Sequence, residues 1–451
     1  MRNPPSSLLR SDHTDSSKKY GPLRVVKMGK QVRVELPYGK QERFFEIEEK
    51  RLIGVFSPKD CEPAKDATSE VIRSLENPIG ASGLRRILRR NRKVAIAVDD
   101  NTRATPVHLV LPALIKHFNL RREDVQVIVA LGTHRRMTKA EMEEKYGKDT
   151  VQEYEFVNHA FDEHEQLKIL GEFPDGTPVW VNRSFLNADV RIGIGNIVPH
   201  FTAGWSAGSK ILLPGLAGEE TVGRMHYVSA MERPNTLGLV ENSGRMLMDR
   251  FAEKVGLDLI IDTVLNRREE IVKVFSGNYV EAHRKGVEFA RRVYNVDVPG
   301  RADITVSSSY PADIEFWQAQ KGLYSADVIT KKGGGILLLT PCTEGISVIH
   351  KDWSNLLEYD AETLADLIRT RKVNDLAAAS LALCVVKTRE AYNTSVVSDG
   401  ISYKTAQKLG FKKFSTLQEA MEHLTRIYGD KSRVAVLTHG GDTCPVLKTP
   451  K

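Results

Sequence analysis

From Lys93 onward, short apolar runs rich in β-branched residues alternate with stretches whose apolar positions recur at helical spacing. Apolar runs without polar alternation suit strands buried on both faces, and their interleaving with helices predicts mainly parallel sheets covered by helices. Lys93–Val98 and Val125–Leu131 read as strands. Pro106 opens a helix over Val107–Phe118, since proline is tolerated in the first turn, where its missing N–H costs nothing. Thr138 precedes Glu141 by three positions, a capping-box spacing that starts a helix running to Tyr146. Asp189–Gly195 is a further strand. A second α/β block begins near Gly300, with strands at Ile304–Ser307 and Ile336–Leu339 and a last strand at Val434–Leu437. The expected class is α/β: two α/β domains with mainly parallel sheets and an active-site cleft between them.

A chain of 451 residues is long enough for two buried cores. Its 65 basic residues are offset by 58 acidic ones, leaving a formal charge of +7. The basic clusters, Arg85–Arg90 and Arg121–Arg122, alternate with apolar positions on expected helices, so they read as solvated helix faces and no nucleic-acid partner is expected. Four widely spaced cysteines without a Cys-x-x-Cys pair point away from a disulfide framework or a thiolate zinc site. The polar first twenty residues lack the apolar core of a signal peptide, and no apolar run reaches membrane-spanning length. A cytoplasmic protein with no membrane partner is therefore expected.

Candidate chemistry lies where strands give way to helices, the usual ligand position in open α/β sheets. Asp100 and Arg103 follow the first strand; the arginine's planar fork suits a carboxylate, or else it is a surface residue beside a helix cap. His134 follows the next strand in Gly132-Thr-His-Arg135, and His200 ends the third. A lone histidine here is commonly structural, but two imidazoles at equivalent ends of one sheet could act as acid and base from opposite sides of one substrate. Beyond His200, Ser206, Gly208 and Ser209 could present a phosphate cradle around Lys210, which reads either as a packed lysine or as a nucleophile.

His200, Lys210 and His226, spaced ten and sixteen positions apart, make the sequence resemble the nickel-dependent lactate racemase family. That resemblance implies a pyridinium-3,5-bisthiocarboxylic acid mononucleotide, the nickel-pincer nucleotide, covalently attached to Lys210, with His226 as nickel ligand. It implies His134 and His200 as acid and base. Arg103 is the implied carboxylate-binding arginine, Asp100 an orienting aspartate, and Gln318 and Lys321 the Gln-x-x-Lys pair of the second domain, preceded by Trp317. The implied partners are a small-molecule 2-hydroxy acid and the enzymes that make and load the cofactor. Hydride transfer avoids placing a second negative charge beside an ionised carboxylate, and a d⁸ ion suits sulfur donors with one imidazole.

The expected organisation is a disordered extension over 1–22, an N-terminal catalytic and cofactor-binding domain over 23–275, a C-terminal α/β domain over 276–424 closing the cleft, and a segment 425–451 returning to the first domain. Trp317, Thr133 and Ser209 depart from the lactate enzyme's residues. Arg136 and the small, hydroxylated Thr133 suggest a 2-hydroxy acid larger or more polar than lactate, whereas Trp317 filling that space would favour a compact one. Two other readings compete: a cofactor storage or delivery protein that keeps Lys210 and His226 without catalysis, and a nicotinamide-dependent dehydrogenase, for which Gly193 and Gly195 lack a third glycine. A zinc hydrolase using His159 and His164 is disfavoured by their separation.

Overall fold

A computed structural model of the chain describes residues 25–81, 88, 92–232 and 235–448. The 1–22 extension and all of the Arg85–Arg90 cluster except Leu88 lie outside the described residues. Two six-stranded sheets form the frame. In the first, Val94–Asp99 lies between Val125–Ala130 and Val190–Asn196, with Glu155–Asn158 beyond the former and Leu259–Leu265 beyond the latter, all parallel. Ile271–Gly277 closes one edge antiparallel. Residues such as Val94 to Val98 are buried along their whole length, as expected of a strand covered on both faces. Pro106 does precede the helix Val107–Phe118, and Thr138 and Glu141 form the reciprocal capping box of Lys139–Tyr146.

The second sheet is parallel throughout. Ala302–Ser308 sits at its centre between Thr330–Leu339 and Val434–Leu437, with Asn393–Val397 and Lys412–Phe414 on one flank and Leu52–Phe56 on the other edge. Two expectations change here. Val434–Leu437 joins this second sheet instead of returning to the first, and the strand after it, Cys444–Leu447, pairs with Asn295–Val298. Strands expected in the first domain also pack here: the hairpin Gln31–Tyr38/Gln41–Glu48 buries Val32, Val34, Leu36, Phe45 and Ile47 against Ile304, Val306 and Leu337. Alternation makes a strand; which sheet it joins depends on complementary surfaces far away in sequence.

Strand order reverses between Val94–Asp99 and Val190–Asn196 in one sheet and between Ala302–Ser308 and Val434–Leu437 in the other. Each reversal opens a crevice beyond the strands' carboxyl ends. Residues following both crevices line one cavity. Among the described residues no helix is long and apolar enough to cross a membrane.

Candidate active site

The cavity between the sheets brings together Asp100, Arg103, His134, His200, Lys210, His226, Trp317, Gln318 and Lys321. Each expected acid, base, carboxylate binder and metal ligand therefore reaches one space. The cofactor-cradle residues do not.

A continuous set of hydrogen bonds organises one wall. Asp100 Oδ2 lies 2.6 Å from His134 Nδ1, and its Oδ1 accepts from the Thr102 N–H at 3.0 Å and the Thr102 hydroxyl at 2.5 Å. Burial works to raise the Asp100 pKa, but His134, Arg103 and Thr102 outweigh it and hold the carboxyl well below its usual range. Facing a carboxylate, Nδ1 of His134 carries the ring proton, which leaves Nε2 as an acceptor; Gln318 Nε2 donates to it at 2.9 Å. Gln318 Oε1 in turn accepts from Lys321 Nζ at 2.7 Å and from Arg103 Nη1 at 3.2 Å. Two basic side chains thus converge on a single carbonyl oxygen, and burial, with Arg103 and Lys210 nearby, holds the Lys321 amine well below its usual pKa.

His200 occupies a different setting. The Thr202 N–H donates to its Nδ1 at 3.3 Å, so the ring proton sits on Nε2. Phe201 stacks on its ring and Tyr324 stacks on Phe201, with centroids 5.2 and 4.1 Å apart. Burial, together with Lys210, Lys321 and Arg103, holds the His200 pKa far below 6.5, and the ring is neutral.

Lys210 lies in the short 3-10 turn Gly208–Ile211. Burial and the Arg103 guanidinium lower its amine to about 7, against the pull of Asp99 and Asp100, so a large fraction is neutral and nucleophilic near neutral pH. The turn is bolted from behind. Arg245, wholly buried, donates to the Ala207 carbonyl and the Ser209 hydroxyl at 3.1 Å each and to the Trp205 carbonyl. Ser209 donates to Asp249 at 2.5 Å, Ser206 to the Asn196 carbonyl at 2.5 Å, and Gly208 N–H to Asp262 at 2.9 Å. Of the expected phosphate cradle, Ser206, Gly208 and Ser209 give these donors to the protein and do not line the cavity. The glycines likewise answer to protein neighbours. Gly204 and Gly208 have positive φ, and a Cβ on either would strike the Leu239 carbonyl at 1.6 Å or the His283 ring at 2.8 Å.

His226 projects from the helix Glu219–Glu232. Burial and Lys210 depress its pKa to about 3, and its Nδ1 is buried without a hydrogen-bond partner. A neutral imidazole with an orphaned nitrogen is chemically ready to ligate a metal. Among the described residues, no group of three or more His, Cys, Asp or Glu converges to hold an ion unaided.

Other expectations shift. Arg136 pairs with Glu163 and is largely exposed, away from the cavity. Thr133 gives its hydroxyl to His350, and Trp317, only 5% exposed, fills the wall beside it. His159 is buried against the Ala217 carbonyl and Asn182, while His164 is exposed and stacks on Trp180, so the two form no metal pair. Gly193 and Gly195 lie within a strand, not in a strand-to-helix turn. Sequence reasoning missed Asp99, Phe201 and the His350–Asp375 pair. Only the apposition of the two sheets reveals the last, and Asp99 was passed over beside Asp100.

Residues 38–238 match the lactate racemase N-terminal domain, and residues 298–443 match the lactate racemase C-terminal domain. The lactate racemase of Thermoanaerobacterium thermosaccharolyticum is 27% identical over 419 residues, covering 90% of this chain and 97% of that protein. The lactate racemase of Lactiplantibacillus plantarum is 29% identical over 419 residues, covering 91% and 98%. The solved apoprotein of the Thermoanaerobacterium enzyme superposes with a TM-score of 0.82 at 27% identity, covering 92% of this chain and 100% of that one. A crystal structure from Thermotoga maritima, at 21% identity and a TM-score of 0.70 over 86% of this chain and 100% of its own, shares the fold.

Proposed function

The chain belongs to the lactate racemase family, and from that premise we propose that it inverts the C2 centre of a 2-hydroxy acid, with His134 and His200 handling the hydroxyl proton from two sides. The observation that carries this reading is the convergence of Arg103 and Lys321 on one oxygen, bonded through Gln318 to the Nε2 of His134. An oxygen held by a guanidinium and an amine is a fitting seat for a substrate carboxylate, whose charge would favour the protonated form of Lys321, and the adjacent lone pair of His134 is a fitting base for the neighbouring hydroxyl.

The residues present fit the family's cofactor. Lys210 is a partly neutral amine, His226 offers a neutral imidazole with an unpartnered nitrogen, and both line the cavity. Lys210 would carry the nickel-pincer nucleotide and His226 would ligate its nickel. Since too few protein donors gather to hold an ion alone, the remaining donors would come from the nucleotide. When bound, that group supplies a pyridinium able to accept and return hydride.

The protein's own part is to bind, orient and move protons. Arg103 and Lys321 take the carboxylate, displacing the Gln318 oxygen they share. His134 Nε2 accepts the hydroxyl proton, and the resulting imidazolium is stabilised through Nδ1–H by Asp100, which stays ionised. To protonate the product oxygen from the other side, neutral His200 would first have to take up a proton from solvent. As an imidazolium it gives the Nε2 proton to that oxygen and is left neutral with its remaining proton on Nδ1, where the Thr202 hydroxyl, 3.1 Å away, can accept a bond. His134 meanwhile returns the proton it took to solvent. In the reverse direction neutral His200 accepts at Nε2 and protonated His134 donates. Burial of the wall by Trp317, Phe201 and Tyr324 excludes water from the intermediate. With Arg136 turned to Glu163 and Trp317 filling the wall, a compact 2-hydroxy acid is favoured over the larger or more polar one expected from sequence.

The intact catalytic wall also disfavours storage or delivery of the cofactor as the sole role. The test is to load the protein with the cofactor-synthesis enzymes and offer enantiopure lactate, 2-hydroxybutyrate, malate, phenyllactate and gluconate, following each by chiral chromatography. Inversion of a compact acid is expected. Loaded protein that inverts none of them would overturn the proposal.

A further inference from the structure

His350 is a buried imidazole that the chemistry above does not use. It is 6% exposed and lies in the loop after Thr330–Leu339, on the second sheet's side of the cleft. Its Nδ1 is 2.5 Å from Asp375 Oδ2, and its Nε2 is 3.0 Å from the Thr133 hydroxyl, which belongs to the first sheet's side. The carboxylate fixes the tautomer: Nδ1 carries the proton, so Nε2 accepts and Thr133 donates. Asp375 is itself anchored, because its Oδ1 caps the helix Leu376–Ala391 by accepting from the Ala378 N–H at 2.8 Å. The face of the His350 ring stacks on Trp317, with centroids 4.0 Å apart and planes 16° from parallel, and Trp353 meets Trp317 edge-on at 4.9 Å.

The covalent neighbours of these contacts are what give them meaning. Thr133 directly precedes His134, and Trp317 directly precedes Gln318. We propose that His350, backed by Asp375, is a positioning residue that holds the base and its amide partner in register across the cleft. The inference rests on the racemase reading of the same cavity. One imidazole grips the residue beside the base by a hydrogen bond and the residue beside Gln318 by its ring face, so the two sheets meet at the spacing that gives the 2.9 Å bond between Gln318 and His134. His350 and Thr133 are buried, at 6% and 4% exposure, as is Trp317 at 5%, so water does not compete for the Thr133 bond.

The experiment measures kcat and KM for the preferred 2-hydroxy acid in fully loaded wild type, His350→Ala, Thr133→Val, the double variant and His350→Gln, with nickel and the Lys210 adduct quantified in each. Misplacement of a base by about an ångström costs on the order of a hundredfold, so kcat should fall about ten- to a hundredfold in both single variants, with KM changing less. The double variant should be no slower than the worse single, because one contact is lost in all three. His350→Gln, whose amide can donate to Asp375 and accept from Thr133, should recover most of the loss. Nickel and adduct content should stay at wild-type levels, which separates positioning from failure to load. Thr133→Val removes the hydroxyl while keeping the shape, and carries the test if His350→Ala does not fold. An active wild type with additive single-variant effects, or with Thr133→Val at full kcat, would overturn the positioning role and leave the racemase reading standing. A loaded wild type that inverts no acid would strike the racemase reading and take the positioning role with it.

Discussion

Replacing Asp100 by asparagine tests how the resting tautomer of His134 is set. The carboxylate accepts from Nδ1–H at 2.6 Å and from the Thr102 N–H and hydroxyl at 3.0 and 2.5 Å. An asparagine can keep its carbonyl oxygen on Thr102, but its other atom is then an NH₂ that donates to Nδ1. The ring proton moves to Nε2, where it meets the Gln318 NH₂ 2.9 Å away, donor against donor. Loss of a charge-assisted hydrogen bond alone costs about 1.5–3 kcal/mol, roughly ten- to a hundredfold in rate. The wrong tautomer adds to this, since in a comparable Asp-His pair the same substitution costs about 10⁴ in kcat. The expected fall in kcat is therefore about 10²–10⁴, with nickel content and the Lys210 adduct unchanged. Racemisation is read by chiral chromatography at saturating substrate, and loading by elemental analysis and intact mass. An Asp100→Asn protein within a few-fold of wild type would refute the assignment of His134 as the base.

Formation of the Lys210 adduct should rise with pH up to about 7 and then level off, because the neutral amine is the reactive form and its pKa is lowered to about 7. Intact mass against loading pH decides this, and a rate still climbing at pH 9 would mean an unperturbed lysine. Arg245→Met should cost about 1–3 kcal/mol in denaturant unfolding, since it removes the guanidinium's bonds to the Trp205 and Ala207 carbonyls and the Ser209 hydroxyl, although Ala207 keeps the Lys210 N–H and Ser209 keeps Asp249; an unchanged midpoint would show that the turn does not depend on it. Arg136→Ala should leave kcat/KM for the preferred acid near wild type, as the side chain faces Glu163 and solvent, and a large loss would return Arg136 to the substrate wall.

Much of the catalytic wall was legible because it follows strand ends: His134, His200, Asp100 and Arg103 sit where an open parallel sheet offers its crevice, and periodicity located those strands to within a residue or so. The second sheet contributed less. That Val434–Leu437 and Leu52–Phe56 flank one another in it depends on surfaces complementary only after folding, so no sequence pattern assigns either strand to its sheet. The glycine- and serine-rich segment misled for a related reason. Small residues mark close approach, but Gly204 and Gly208 approach the Leu239 carbonyl and the His283 ring, both part of the protein. Arg245, thirty-five positions beyond Lys210, and His350, more than two hundred beyond Thr133, carry no local pattern at all.

The most direct test of the central claim is the fate of the C2 hydrogen. Loaded protein is incubated in D₂O with one enantiomer of its preferred 2-hydroxy acid, and the inverted product is examined by NMR and mass spectrometry. If His134 and His200 move only the hydroxyl proton while the C2 hydrogen leaves and returns as hydride, the product keeps protium at C2. Deuterium at C2 in step with inversion would mean that a histidine abstracts the C2 proton itself, and would contradict the account.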